Sequence, residues 1–255
     1  MSKISAVIIT YNEEDFIGRC LESLNGIADE IVVVDSFSTD RTGDICKKHN
    51  VKFIQREFEG YRDQKNYAIK LASHANILSL DADEALSDKL RQSILEIKGN
   101  WKYDGYYFKR RSSFCGKWIQ HSAWYPDPQL RLFKAGIGQF GELNIHEKFI
   151  MSNGSKVGTL QGDLLHWPFE SYDDYKHKVE KYTDIAVMEY FRAGKKANFL
   201  TAYIHSGWGF FRSYIVRGGI LDGRDGFLIC SSYSRSTFLK YKRLRELSKN
   251  GSGKK

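Results

Sequence analysis

The sequence predicts an α/β fold whose sheet is parallel in its first half and mixed in its second, followed by a helical C-terminal extension. Three observations carry this. Short apolar, largely β-branched runs recur at Ile4 to Ile9, Ile31 to Val34, Val51 to Ile54 and Ile77 to Leu80, as suits buried strands. Helical patterns separate them, and that alternation argues for parallel strands covered on both faces. From Ser171 onward the period is helical again and the chain becomes basic and ring-rich.

Each element has a local reason. The first helix carries Phe16, Ile17, Cys20, Leu21 and Leu24 on one face, with Asn12 as its expected cap and Glu13, Glu14 and Asp15 suited to its first turn. Further helices are expected from about Asp40 to His49 and Asp63 to Ala72, and Ser87 is placed to cap another bearing Leu90, Ile94 and Ile97. After about Gly99, strand-like pieces at Tyr106 to Lys109 and Gln129 to Phe133 alternate with turns rich in Gly, Pro and aromatics, so the sheet is expected to become mixed. Ser171, three residues before Asp174, is set to cap a helix with an apolar face of Tyr175, Val179, Tyr182, Ile185 and Tyr190 and a stop at Gly194. The expected division is an α/β domain of residues 1–170, a helical extension of 171–250 and a disordered tail of 251–255.

With 42% hydrophobic and 14% aromatic residues, 255 residues can bury one sizeable core and an appendage. The four cysteines lie far apart, without zinc-site spacing or a disulfide framework, so a reducing cytoplasm is expected. Met1 to Thr10 runs straight into a strand and lacks the pattern of a secretory signal. Residues 1–169 carry 22 basic and 22 acidic side chains, whereas 170–255 carry 17 and 9, so the whole net charge of +8 sits at the C-terminal end. An acidic partner is expected there. The uncharged run 197–211 is shorter than the ~20 residues of a spanning helix. It suits lying on an anionic membrane surface, and peripheral attachment to the inner face of the cell membrane is expected.

In open α/β sheets, ligands bind beyond the carboxyl ends of the strands. Polar clusters follow three of the four expected strands: Thr10-Tyr11-Asn12-Glu13, Asp35-Ser36-Phe37-Ser38-Thr39-Asp40 and Asp81-Ala82-Asp83-Glu84. Any one of them is explained as a turn or a cap. Their recurrence marks a ligand site. Asp81 and Asp83 are one residue apart, so both can meet one divalent cation, or one can bind metal while the other takes a ribose hydroxyl. Hard oxygen ligands favour Mg2+ or Mn2+, an ion that would neutralise a pyrophosphate as a nucleoside diphosphate leaves.

These segments resemble the donor-site motifs of the family-2 inverting glycosyltransferases of the GT-A fold. Ile8-Ile9-Thr10-Tyr11-Asn12-Glu13, Val34-Asp35-Ser36-Phe37-Ser38-Thr39-Asp40 and Leu80-Asp81-Ala82-Asp83-Glu84 fall in the family's order and spacing. Gly60-Tyr61-Arg62-Asp63-Gln64-Lys65-Asn66 is similar to its basic, Asn-containing helix start near the diphosphate. The resemblance is clear over residues 1–90 and looser to about 227, where the chain is similar to the branch of lipopolysaccharide-core glucosyltransferases. It implies transfer of a hexose such as glucose from a nucleoside-diphosphate sugar, a UDP-sugar foremost, to a hydroxyl of a glycan or glycolipid acceptor.

The resemblance also implies roles. Asp35 is expected at the base or ribose, with Thr10, Tyr11, Asn12, Glu13, Ser36, Asp40, Asp81 and Ala82 lining the donor pocket and Lys65 at a phosphate. Asp83 is implied as the principal metal ligand, joined by Asp81 and by His166 after a later strand. Inverting transfer is a single displacement and needs a base for the acceptor hydroxyl. Glu147, in Asn144-Ile145-His146-Glu147, stands where the family often has Asp, Glu142 is the competing carboxylate, and His146 would orient the base. Trp124 and Arg131 are the acceptor-side candidates. The plainer readings stay open: Lys65 on a solvated helix face, Glu147 paired with Lys148 or Arg131, and the rings from Trp118 to Pro128 as core.

Rival functions fit less well. A sugar-nucleotide pyrophosphorylase calls for a Gly-rich, Arg-containing loop after the first strand, and a dinucleotide oxidoreductase for Gly-x-Gly-x-x-Gly; Thr10-Tyr11-Asn12-Glu13 is neither. Nucleic acid is not an expected partner, because a nucleic-acid-binding module leaves the acidic clusters without a purpose. A catalytically inactive sugar-nucleotide-binding protein is the alternative that assay must separate.

Overall fold

β1 (Ile4–Thr10) is buried along almost its whole length because parallel strands lie on both sides of it. With β2 (Glu30–Asp35), β3 (Lys52–Gln55) and β4 (Asn76–Asp81) it forms the parallel half of a sheet in the order β3-β2-β1-β4. A computed structural model describes residues 2–141 and 148–251 of the chain. Alternate residues of β1 serve opposite faces: Ile4, Ala6 and Ile8 join one apolar cluster and Val7 the other. α1 (Ile17–Ser23) and α4 (Asp88–Lys98) cover the first face with Ile17, Leu21, Leu90 and Ile94, and α3 (Tyr61–Lys70) covers the second with Ala68. α2 (Thr42–Lys48) connects β2 to β3.

The sheet then becomes mixed. β5 (Glu84–Leu86), β6 (Gly105–Phe114), β8 (Asp127–Lys134) and β11 (Val157–His166) extend it in the order β4-β8-β6-β11-β5, with β8 antiparallel to both β4 and β6 and β11 antiparallel to β5. β7 (Lys117–Trp118) forms a short hairpin on the end of β6, and β9 (Gly138–Gly141) pairs with β10 (Lys148–Met151) in a separate ribbon. The arrangement is the expected one, parallel in its first half and mixed in its second. Gly162 fixes how closely β11 approaches α4: its φ is +99°, and a Cβ there would stand 2.3 Å from the Leu90 nitrogen.

Ser87 caps α4 as expected, its hydroxyl accepting from the Leu90 N–H at 3.4 Å. Asn12 does not cap α1. The helix starts at Ile17 without a side-chain cap, and Asn12 is held in the left-handed region at φ +52° because its side chain binds the neighbouring loop instead. Eight residues of contiguous sequence at 84–91 therefore hold a strand, a cap and a helix start, a density that periodicity alone does not resolve.

The chain forms two compact units that are not consecutive in sequence: residues 1–111 with 127–167, and 112–126 with 168–255. The expected boundary at 170 treated them as consecutive blocks; Ser112–Pro126 group with the C-terminal helices instead. In that second unit α5 (Tyr172–Arg192) and α6 (Phe199–Phe211) pack on α7 (Gly223–Gly251), with a π-helical turn Arg212–Val216 and a 3-10 turn Gly219–Asp222 between α6 and α7. Ser171 caps α5 by accepting from the Asp174 N–H at 3.1 Å. The buried stripe of α5 is Tyr175, Thr183 and Val187, whereas Tyr182 is exposed. Thr183 wins that place because its hydroxyl is 2.7 Å from that of Ser236 on α7, a polar contact that an apolar-face reading passes over.

Candidate active site

The parallel register sets the three motifs side by side. Thr10 is opposite Asp35, and Ile9 is opposite Asp81. Asp35 is fully buried and already held: it accepts from the Ser38 N–H at 2.9 Å, from Gln55 Nε2 at 3.1 Å and from the Ser38 hydroxyl. Ser36 donates its N–H to the Thr10 carbonyl at 2.9 Å, and its hydroxyl accepts from Gln64 at 3.1 Å. The Thr10 hydroxyl is buried without a hydrogen-bond partner among the described residues.

Four further bonds lace the β1 loop to the β2 loop. The Asn12 N–H donates to Ser38 Oγ at 2.8 Å, and Asn12 Oδ1 accepts from the Thr39 N–H at 2.8 Å. The Glu13 N–H donates to Thr42 Oγ1 at 2.8 Å and the Glu14 N–H to Asp40 Oδ2 at 3.1 Å. Asp40 is thus a structural acceptor, since its other oxygen takes the Thr42 N–H at 2.9 Å. Tyr11 and Phe37 project from the laced loops, 57% and 50% exposed.

Asp81 is the centre of a charge cluster. The Lys65 ammonium stands 2.8 Å from its Oδ1 and Arg131 2.7 Å from its Oδ2. Arg131 also meets the fully buried Glu84 at 2.6 Å, and Arg110 joins Glu84 at 3.4 Å to Asp127 at 2.7 Å. Burial alone would raise the Asp81 carboxyl, but Lys65 and Arg131 overcome it and hold it far below the usual carboxylate range. Burial works the other way on Arg131, yet Glu84 and Asp81 keep its guanidinium more firmly protonated than usual. Lys65 and Arg131, one assigned to phosphate and the other to the acceptor, are both buried and spent on this cluster. Ala82 is core.

Asp83 points elsewhere. Pairing of β5 with β11 puts His166 opposite Glu84, and His166 Nε2 lies 3.4 Å from Asp83 Oδ2. The Asp83 carbonyl accepts from the Trp167 N–H at 3.0 Å, which locks the turn to the end of β11. A carboxylate oxygen and an imidazole nitrogen, both partly exposed, are donors suited to Mg2+ or Mn2+. Among the described residues no group of three or more His, Cys, Asp or Glu side chains is gathered for a metal. The expected triad of Asp81, Asp83 and His166 is therefore brought together only as the pair Asp83 and His166.

Glu147, Glu142 and His146 lie outside the described residues. Trp124 belongs to the second unit, where its ring packs 5.9 Å from Phe114 and 5.8 Å from Phe169. Sequence reasoning placed Asn66 only within the helix start near the diphosphate; its amide donates to the Phe140 carbonyl and accepts the Phe140 N–H, both at 2.9 Å, pinning β9 to α3. The same reasoning passed over Glu84 and Arg110 as a linked pair. Glu84 had a signal, the third acid of its motif; Arg110 had none.

Compared with known families, residues 5–151 match glycosyl transferase family 2. The chain belongs to this family. A lipopolysaccharide core biosynthesis glycosyltransferase of Rhizobium meliloti, LpsC, is 30% identical over 232 residues, covering 88% of this chain and 85% of that protein. An uncharacterized glycosyltransferase of Rickettsia typhi is 29% identical over 97% of this chain and 88% of its own length. Among solved structures, S. aureus TarS in complex with UDP-GlcNAc aligns over 98% of this chain and 92% of that chain, with 16% identity and a TM-score of 0.48. The family match ends at β10, so the second unit's helices lie beyond it.

Proposed function

We propose that the chain is an inverting, metal-dependent glycosyltransferase that moves a hexose from a UDP-sugar to a hydroxyl of a lipopolysaccharide-type or other cell-envelope glycolipid at the inner face of the cell membrane. The observation that carries the donor half is that, in a family-2 chain, the buried Asp35 at the end of β2 and the partly exposed Asp83–His166 pair beyond the end of β4 stand on either side of β1 at the same edge of the sheet. The acceptor class rests on the relative from Rhizobium meliloti.

In this reading Asp35, set firmly by Ser38 and Gln55, accepts from the base or a ribose hydroxyl, with the Tyr11 and Phe37 rings available beside it. Asp83 and His166 hold a divalent ion that would supply charge neutralisation for the diphosphate. Asp81, Lys65 and Arg131 do not touch the donor; they fix the strand end from which Asp83 projects. Glu147 takes the acceptor proton, with Glu142 as the competing base.

The test is nucleotide release from UDP-, GDP- and ADP-sugars with a lipopolysaccharide-core acceptor, with Mn2+ and with excess chelator. Acceptor-stimulated release from one UDP-sugar that stops with chelator is the expected result. Tight donor binding without release, under every acceptor and metal condition, would favour the inactive binding protein.

A further inference from the structure

We propose that the outward face of α6, continued through the two short turns after it, is an in-plane docking surface for the anionic leaflet of a membrane. This gives the membrane part of the reading above a physical location, and it stands on observations within the second unit alone.

α6 is an inverted helix. Its buried positions, Ala202 and Ser206, are small, and Ser206 presents its carbonyl to the Ser234 hydroxyl of α7 at 3.0 Å. Its large residues point outward: Leu200 is 64% exposed, Ile204 57%, Trp208 59% and Phe211 48%. These recur every three or four residues, so they form one stripe. The two turns that follow add Ile215, Val216, Ile220 and Leu221, all about half exposed or more. A contiguous apolar surface on this scale marks an interaction site.

Charge selects the occupant. From Tyr190 to Leu221 there is no Asp or Glu, while Arg192, Lys195, Lys196, Arg212 and Arg217 are all exposed. A second copy meeting this face through a two-fold axis would set like charges against like. Lipid phosphates complement them, with rings and aliphatic side chains settling among the acyl chains beneath. Thirteen residues of helix span about 20 Å, short of the ~30 Å hydrocarbon core. No described helix is long and apolar enough to cross a membrane. The stripe lies along the surface.

Flotation of the full chain with vesicles of phosphatidylglycerol and phosphatidylcholine, against phosphatidylcholine alone, tests this. Binding to the anionic vesicles that fades as salt rises is expected. Ile204→Ser with Trp208→Ser, both exposed and so expected to leave the thermal melt unchanged, should lower partitioning roughly tenfold or more; Arg212→Ala with Arg217→Ala should remove the anionic preference. Equal recovery of the wild type unbound from both vesicle types would overturn the proposal. So would a solution dimer that the Ile204/Trp208 variant converts to monomer, which would give the face to a second copy. Nucleotide release measured with a soluble acceptor and no vesicles reports on sugar transfer separately.

Discussion

Lys65 Nζ stands 2.8 Å from Asp81 Oδ1, so a lysine expected at a donor phosphate and an acid expected at a metal neutralise each other. With Arg131 on the other oxygen, the first acid of the Asp81-Ala82-Asp83 motif is held by two cations while the second is paired with His166, although the two side chains are about equally exposed, at 25% and 24%. The two carboxylates, one residue apart, therefore take different work, and mutation can separate them.

Arg131→Met removes the cation shared by Asp81 and Glu84 and leaves the fully buried Glu84 with Arg110, at 3.4 Å, as its remaining counter-charge among the described residues. Breaking a buried pair from one side costs about 3–5 kcal/mol. Urea denaturation should show that loss. An unchanged midpoint with weakened acceptor use would return Arg131 to the acceptor role that its sequence position suggested.

Asp83→Ala should abolish transfer and remove the metal dependence of nucleotide binding while leaving the unfolding midpoint within about 0.5 kcal/mol of wild type, as for a partly exposed side chain outside the core. His166→Ala should weaken metal-dependent binding in the same direction. Titration calorimetry with UDP, with and without Mn2+, reads both; identical metal dependence in Asp83→Ala and wild type would end the assignment.

Glu147→Gln should bind donor nearly normally and lose about 100- to 10,000-fold in turnover, the usual contribution of a positioned base. Glu142→Gln, measured beside it, should retain most of its rate. The reverse pattern would exchange their roles.

Much of the fold was legible because β1, β2 and β4 are mostly apolar runs buried on both faces, and that pattern leaves little alternative. β5, β9 and β10 were not, since three or four residues carry no period and their pairing is set by distant partners. At the candidate site, the expected strand ends set Thr10 opposite Asp35. Strand ends did not reveal that Lys65 and Arg131 would be claimed by Asp81, because α3 and β8 meet it only through long-range packing. Asn12 was read as a helix cap for the same reason: its partner Thr39 lies 27 residues away.

Acid should weaken the first unit through Asp29. Burial alone would raise its carboxyl, but Lys98, 2.8 Å away, and the Ile4 N–H at 2.9 Å hold it below its ordinary value. The folded pKa is the lower one, so the contribution is complete above the unfolded pKa near 3.9 and fades as pH falls through the folded value. Asp29→Asn should cost about 1–2 kcal/mol at pH 7 and flatten the decline of stability below about pH 4. Urea unfolding at pH 7 and pH 3 measures it; parallel declines in variant and wild type would exclude this pair.

The lacing of the β1 and β2 loops through Asn12, Ser38, Thr39 and Thr42 has a thermodynamic side. A surface loop that is free before a ligand arrives loses about 1–2 kcal/mol of backbone entropy for every residue the ligand freezes. Here the neighbouring loop supplies that constraint during folding, once, and the same segments need not be frozen again for each molecule captured. Loosening the lace, as with Asn12→Ala, would therefore show itself as a more unfavourable binding entropy at little change in binding enthalpy, even though the Asn12 side chain need never touch what is bound.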